Sequence, residues 1–181
     1  MVLKEKTLSK EYIYNGRIIN LRRDKIELPD GKQGTREVIE HRGGVCVLAL
    51  TEKNEVLMVR QYRYPYCEEI LEIPAGKRDS LDEPPLECGK RELKEETGAS
   101  AESFEFLGEF YPTPGYTNEV IYIYLAENLS FGKQNPDEDE FLEVLKIPFK
   151  ELLKEVLDGK IKDGKTQCAV LKTALLKGFS I

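Results

Sequence analysis

The segment from Gly76 to Ala99 constrains this 181-residue chain more than any other, because its residue order prescribes both a helix and what that helix must face. It opens on a glycine, places Pro84 and Pro85 where a helix would start, and closes on Thr97 and Gly98, a natural helix stop. The spacing predicts a helix over Leu86 to Thr97. At about 100° per residue, Leu86, Gly89, Leu93 and Thr97 gather on one side, and Glu92, Glu95 and Glu96 form a contiguous flank beside them. Glu92 and Glu96 stand at i,i+4, where like charges cost an isolated helix roughly 0.2–0.5 kcal/mol. The other flank interleaves Glu87 with Lys90 and Lys94, as a solvated face does, whereas the acidic flank is unmixed. Something positive should sit against it. A donor set of carboxylates alone suits a hard divalent cation, Mg²⁺ or Mn²⁺, rather than zinc.

Gly76, Glu83, Arg91-Glu92-Leu93, Glu95-Glu96 and Gly98-Ala99 resemble the Nudix box of the Nudix hydrolases. That pattern is a glycine, five residues, a glutamate, seven residues, then Arg-Glu-aliphatic-x-Glu-Glu-x-Gly-aliphatic. Seven residues do separate Glu83 from Arg91, but six rather than five stand between Gly76 and Glu83. The extra residue falls in the loop, where an insertion is cheap, and the helical half is intact. In the family the glutamate at the place of Glu83 partners the box arginine.

Net charge and composition narrow the alternatives. A formal charge of −6 with no long basic stripe argues against a general nucleic-acid binder. No basic-then-apolar leader opens the chain, and no run reaches the roughly 18 apolar residues of a membrane span. Cys46, Cys67, Cys88 and Cys168 form no Cys-x-x-Cys pair and are expected as buried free thiols in a reducing cytoplasm.

Taken in order, residues 1–41 alternate over Tyr12-Ile13-Tyr14, Ile18 to Arg23 and Thr35 to Glu40, broken by the turn signals Asn15-Gly16 and Pro29-Asp30-Gly31. This predicts a small antiparallel meander. Two or three strands are marginal alone, so the meander should pack on something, as a dimerisation or substrate-covering element. His41, the single histidine, stands at a strand end and is read as structural. Val45 to Leu50 and Val56 to Val59, joined by Glu52-Lys53-Asn54, read as two core strands of one hairpin. The second runs on to Arg63, where a guanidinium can meet phosphate bidentately. At Ala75-Gly76 the glycine permits close backbone approach, leaving the Ala75 carbonyl to coordinate a cation. Strands are expected over Phe104 to Tyr111, Glu119 to Leu125 and Phe141 to Ile147, and helices over Pro148 to Leu157 and Gln167 to Leu176, the latter capped by Thr166 or Asp163. The acidic stretch Asn135 to Glu140 reads as a loop long enough to move.

A finer resemblance, to ADP-ribose pyrophosphatases within the Nudix family, spans roughly residues 8–176. Pro114 stands sixteen residues after Gly98, where those enzymes carry a proline. Arg36, Gln61-x-Arg63, Glu72 and the segment Thr113-Pro114-Gly115 to Glu119 resemble the positions that hold their substrate. The resemblance implies an α/β chain with the Nudix fold, an α/β/α sandwich with a mixed central sheet, over residues 43–181. A small N-terminal antiparallel sheet over residues 1–42 precedes it and often exchanges across a homodimer. It further implies two or three Mg²⁺ ions on Ala75, Glu92, Glu95 and Glu96, with Mn²⁺ an alternative. Arg36, Arg63, Glu72, Pro114 and Glu119 would bind substrate, and Gly76, Glu83 and Arg91 would orient the box. Glu96 would be catalytic together with a loop glutamate, Glu138 or Glu140, acting on water. The reaction would split ADP-ribose into AMP and ribose 5-phosphate. Two readings stay open beside it: a Nudix pyrophosphatase for another nucleotide sugar or a dinucleoside polyphosphate, and a catalytically silent nucleotide-binding module.

Overall fold

The computed structural model describes residues 3–136 and 140–180. Contacts divide the chain into two compact units, residues 1–43 with 111–120, and residues 44–110 with 121–181.

In the first unit, β1 (Lys6–Asn15), β2 (Asn20–Glu27) and β3 (Gln33–Glu40) form an antiparallel meander in the order β1-β2-β3. Asn15 and Asn20 pair across the first turn, whose four residues 16–19 are closed by the Gly16 N–H to Ile19 carbonyl bond of 2.9 Å. Only Asp24 and Ile26 of these strands are buried among the described residues, and β1 is exposed along its whole length. The segment 111–120 joins this unit through the backbone. Ile39 N–H donates to the Tyr116 carbonyl at 2.7 Å, and Asn118 N–H donates to the Ile39 carbonyl at 3.1 Å.

The second unit holds two sheets, three α-helices and one short 3-10 turn (Tyr64–Tyr66) among the described residues. One sheet runs β7 (Ala75–Lys77), β4 (Gly44–Ala49), β9 (Ile121–Phe131), β8 (Ala99–Phe110), and is mixed because β4 and β9 are parallel. The other runs β10 (Leu142–Pro148), β5 (Glu55–Arg63), β6 (Glu68–Glu72). All six residues of β4 are buried, and from Val45 to Ala49 they alternate between two clusters. Val45, Val47 and Ala49 pack with Cys88 and Leu93 of α1 (Pro85–Thr97). Cys46 and Leu48 pack with Leu152 of α2 (Phe149–Leu157) and with Ala169 and Val170 of α3 (Gly164–Lys177). A strand with helices on both sides has no polar face, which is why its sequence shows a continuous apolar run.

That run also misleads. β4 and β5 do not form the expected hairpin. They share the Leu50–Val56 bridge and the Thr51 N–H to Glu55 carbonyl bond of 2.9 Å, then part into different sheets. Both edges of β4 are taken by β7 and β9, and both edges of β5 by β6 and β10, so neither has an edge left for the other. β8 and β9 also extend beyond the expected bounds, paired over Ala99–Phe131 through Phe110–Ile121 with a bulge between Phe106 and Gly108. Asp163 rather than Thr166 caps α3, its carboxylate accepting the Thr166 N–H at 3.0 Å. The thiols are free, but only Cys46 and Cys88 are buried; Cys67 is exposed and Cys168 half-buried. None of the helices among the described residues is long and apolar enough to cross a membrane.

Candidate active site

Helix α1 lies close on β4 because it carries Gly89 there: a Cβ at that position would come within 3.0 Å of Val45 Cγ1 and 3.3 Å of Val47 Cγ2. With Gly89 and Leu93 against the sheet, the 3.6-residue repeat turns Glu92 and Glu96 toward β7. Gly76 of β7 is met by Glu92 so closely that a Cβ on Gly76 would overlap its carboxylate. Ala75 N–H donates to Glu96 Oε2 at 3.0 Å. Glu92 and Glu96 are 8% and 2% exposed, two buried carboxylates one helical turn apart.

Arg91 ties this pair to its surroundings. Its Nη1 donates to Glu92 Oε1 at 2.7 Å and to Glu95 Oε2 at 3.0 Å, while its Nε donates to Glu83 Oε1 at 3.2 Å. The loop with the extra residue closes around Glu83: Asp79 N–H donates to Glu83 Oε2 at 2.7 Å, and Arg78 donates to the Glu83 carbonyl at 2.9 Å and to the Leu81 carbonyl. The insertion is absorbed without moving Glu83 away from Arg91. One guanidinium thus serves Glu83, Glu92 and Glu95, with Asp79 Oδ2 a further 3.8 Å from its Nε, and Glu96 forms no ion pair among the described residues.

The electrostatics record that deficit. Burial pushes Glu92 up to about 7; Arg91 opposes this, and the charges of Glu95 and Glu140 add to it. Burial pushes Glu96 up to about 8, opposed by the Ala75 N–H and reinforced by Glu92 and Glu140. Among the described residues no three His, Cys, Asp or Glu side chains converge in metal-binding geometry, since Arg91 holds Glu92 and Glu95 while Glu96 turns to Ala75. The chemistry of the donor set nevertheless fits a hard divalent cation: all-oxygen, buried and short of positive charge.

The acidic loop reaches this helix. Asn135 N–H donates to the Glu95 carbonyl at 2.9 Å, and Gly132 N–H donates to the Gly98 carbonyl at 2.7 Å, so the loop begins on the C-terminal turn of α1. Gly98 fits there with φ +71°, where a Cβ would meet the Gly132 carbonyl oxygen. Glu140 is exposed and close enough for its charge to raise both buried glutamates. Glu138 lies outside the described residues.

A model of the Nudix domain matches residues 40–166, which include every residue of this arrangement. The chain belongs to the Nudix family. A second model, of the nucleoside diphosphate sugar hydrolase N-terminal domain, matches residues 5–39. An ADP-ribose pyrophosphatase of Bacillus subtilis (strain 168) is 42% identical over 179 residues, 96% of this chain and 96% of that protein. A methanol dehydrogenase activator of Bacillus methanolicus is 41% identical over 172 residues, 93% of this chain and 92% of that protein. A solved structure described as an ADP compounds hydrolase superposes with a TM-score of 0.84 at 22% identity, covering 98% of this chain and 97% of that one, and supports the Nudix fold.

Beyond the Nudix box, Arg63 grips Glu72 with two parallel bonds, Nε to Oε1 at 2.6 Å and Nη2 to Oε2 at 2.8 Å. Arg60, on the alternate face of β5, pairs with exposed Glu143 instead. Lys165 completes the group, its Nζ meeting Glu72 Oε2 and, at 2.9 Å, Asp163 Oδ1. Nothing in the sequence links Lys165 to Glu72, 93 residues earlier; the stretch from Asp163 to Thr166 reads only as a helix start. In the other unit, Arg36 is turned to Glu5, with Nε to Oε2 at 3.1 Å. Pro114 and Glu119 line a cavity of about 310 Å³ with Tyr111, Thr117, Asn118 and Val120. Glu119 stands 3.3 Å from His41 Nδ1, which accepts the Gly43 N–H at 3.0 Å. The loop fixes His41 in a structural place.

Proposed function

We propose that this Nudix hydrolase cleaves the pyrophosphate bond of ADP-ribose, with Mg²⁺ or Mn²⁺ as cofactor, to give AMP and ribose 5-phosphate. The observation that carries the reading is the buried pair Glu92 and Glu96, seated against Gly76 and Ala75 and short of positive charge. The named relative of Bacillus subtilis supports the substrate class, and the match of residues 5–39 to a nucleoside diphosphate sugar hydrolase module supports a nucleotide sugar.

In this reading Glu92, Glu95, Glu96 and the Ala75 carbonyl hold two or three ions. Bound there, the metal would neutralise pyrophosphate oxygens and make water a better nucleophile. The chain's own groups do the rest. Arg91 orients Glu92 and Glu95 and is itself held by Glu83. Glu138 or Glu140 takes the proton from the attacking water, and of the two Glu140 already lies within electrostatic reach of the box. Arg63, oriented by Glu72, meets a phosphate oxygen with Nη1, which makes no hydrogen bond among the described residues. Arg36, Pro114 and Glu119 contribute to holding the nucleotide or its sugar.

The exposed apolar side chains Leu8, Tyr12, Ile13 and Tyr14 on β1, with Ile18 and Ile19 in the following turn, support a homodimer formed through the N-terminal strands. Four free thiols support a reducing cytoplasm. The test is chromatographic product analysis after incubating the purified protein and Mg²⁺ with ADP-ribose, ADP-glucose and diadenosine polyphosphates. The expected result is equimolar AMP and ribose 5-phosphate, with ADP-ribose giving the highest kcat/KM. Preference for a dinucleoside polyphosphate, or binding of ADP-ribose without cleavage, would overturn it.

A further inference from the structure

We infer that Lys165, in the first turn of α3, is a positioning residue for substrate: through Glu72 it fixes the direction in which Arg63 presents its free guanidinium edge.

Lys165 is a lysine in an unusual place, with a side chain only 11% exposed. Burying an ammonium is costly unless its donors are used, and here they are spent on Glu72 and Asp163. Asp163 is doubly committed, because its other oxygen accepts from the Thr166 N–H at 3.0 Å and from Thr166 Oγ1 at 2.5 Å. Thr166 Oγ1 in turn accepts the Ile73 N–H at 2.9 Å. The start of α3 is therefore fastened to the end of β6, and the lysine it carries lands on the one carboxylate that grips Arg63.

The division of donors gives the arrangement its consequence. Glu72 is 3% exposed in its side chain and accepts from two cations. Arg63 spends Nε and Nη2 on it, which leaves Nη1 without a hydrogen bond among the described residues, and Arg63 itself lines a cavity of about 260 Å³ with Tyr66, Lys162 and Lys165 among others. With Lys165 in place, Glu72 is neutralised by two partners and Arg63 retains charge for an incoming anion. Without it, Arg63 alone must neutralise a buried carboxylate, and its attraction for a phosphate weakens. Lys165 touches no reacting atom, so its loss should appear in affinity and leave the chemical step nearly intact.

The inference rests on Arg63 meeting a phosphate of the substrate, so the experiment reads affinity and turnover separately. Steady-state kinetics with ADP-ribose and Mg²⁺, calorimetric Kd for ADP-ribose in EDTA, and thermal melts are compared for wild type, K165M, K165R, E72Q and K165M/E72Q. K165M should raise KM and Kd about tenfold with kcat within about twofold. K165R, which keeps the charge, should return both toward wild type. In the E72Q background, where the carboxylate that joins Lys165 to Arg63 is gone and only Asp163 loses its lysine partner, adding K165M should change Kd by less than about twofold, because Lys165 acts through Glu72. Should K165M alone fail to fold, that last comparison decides. Unchanged KM and Kd in K165M, a loss confined to kcat, or an equal further loss on adding K165M to E72Q would overturn the inference. A wild type that binds ADP-ribose without cleaving it would instead remove the proposed function and leave the Kd series to decide on Lys165.

Discussion

Glu92 lies where it does because Gly76 has no side chain. A methyl group there would occupy the space of the Glu92 carboxylate, so G76A must push that carboxylate out or move β7. The expected cost is about 1–3 kcal/mol of stability from overpacking, with kcat lowered about a hundredfold, the scale of losing one aligned electrostatic group; urea melts and steady-state kinetics check the two parts. Glu96 tests the same site in the opposite sense. It is a buried carboxyl whose ionised form has one backbone N–H as its donor, so E96Q should lower kcat at least about a hundredfold. In EDTA the same variant should melt higher, by roughly 2–4 °C for each kcal/mol gained in a chain of this size. Lower activity with higher metal-free stability separates a ligand from a structural residue. At this scale the sequence is informative because helical spacing alone places Glu92, Glu95 and Glu96 on one flank. It does not distinguish Glu95, held by Arg91 at the rim, from Glu96, which turns inward to a strand residue 21 positions earlier.

Among the elements, the join between β6 and α3 has a definite acid signature. Burial pushes Glu72 up, but Arg63 and Lys165 outweigh it and leave it below its ordinary value of 4.5. The folded chain then holds that proton less tightly than the unfolded one. The stabilisation is complete above the unfolded value and is lost as pH falls through the folded one. Urea melts should show stability falling as pH drops below that ordinary value, and E72Q should flatten that part of the curve. The cap at the same join gives a second test: D163A removes both the Thr166 contacts and a partner of Lys165, and should cost about 1 kcal/mol or more, read from the same melts. Helix α1 is legible to within a residue because Pro85 and Gly98 punctuate it. The β4–β5 hairpin is misread because a run apolar on both faces says that a strand is central without saying which strands flank it. Asp163 and Thr166 are equivalent as caps in sequence, and only the bond from Ile73 to Thr166 shows why the carboxylate takes the role.

For the whole molecule, the N-terminal meander is legible from its turn signals, whereas the return of residues 111–120 to β3 depends on backbone pairing that no side-chain pattern records. If exposed β1 pairs with a second copy, deleting residues 1–39 should convert a dimer to a monomer in sedimentation and weaken ADP-ribose binding; a monomeric full-length chain would remove the dimer. The central claim, that the box helix holds a divalent cation for pyrophosphate cleavage, is tested most directly by anomalous diffraction from crystals of the full chain soaked in Mn²⁺. The expected result is manganese bound by Glu92 and Glu96 beside the Ala75 carbonyl, with Arg91 drawn aside. Crystals that take up manganese elsewhere and leave those two carboxylates bonded only to Arg91 and the Ala75 N–H would contradict it.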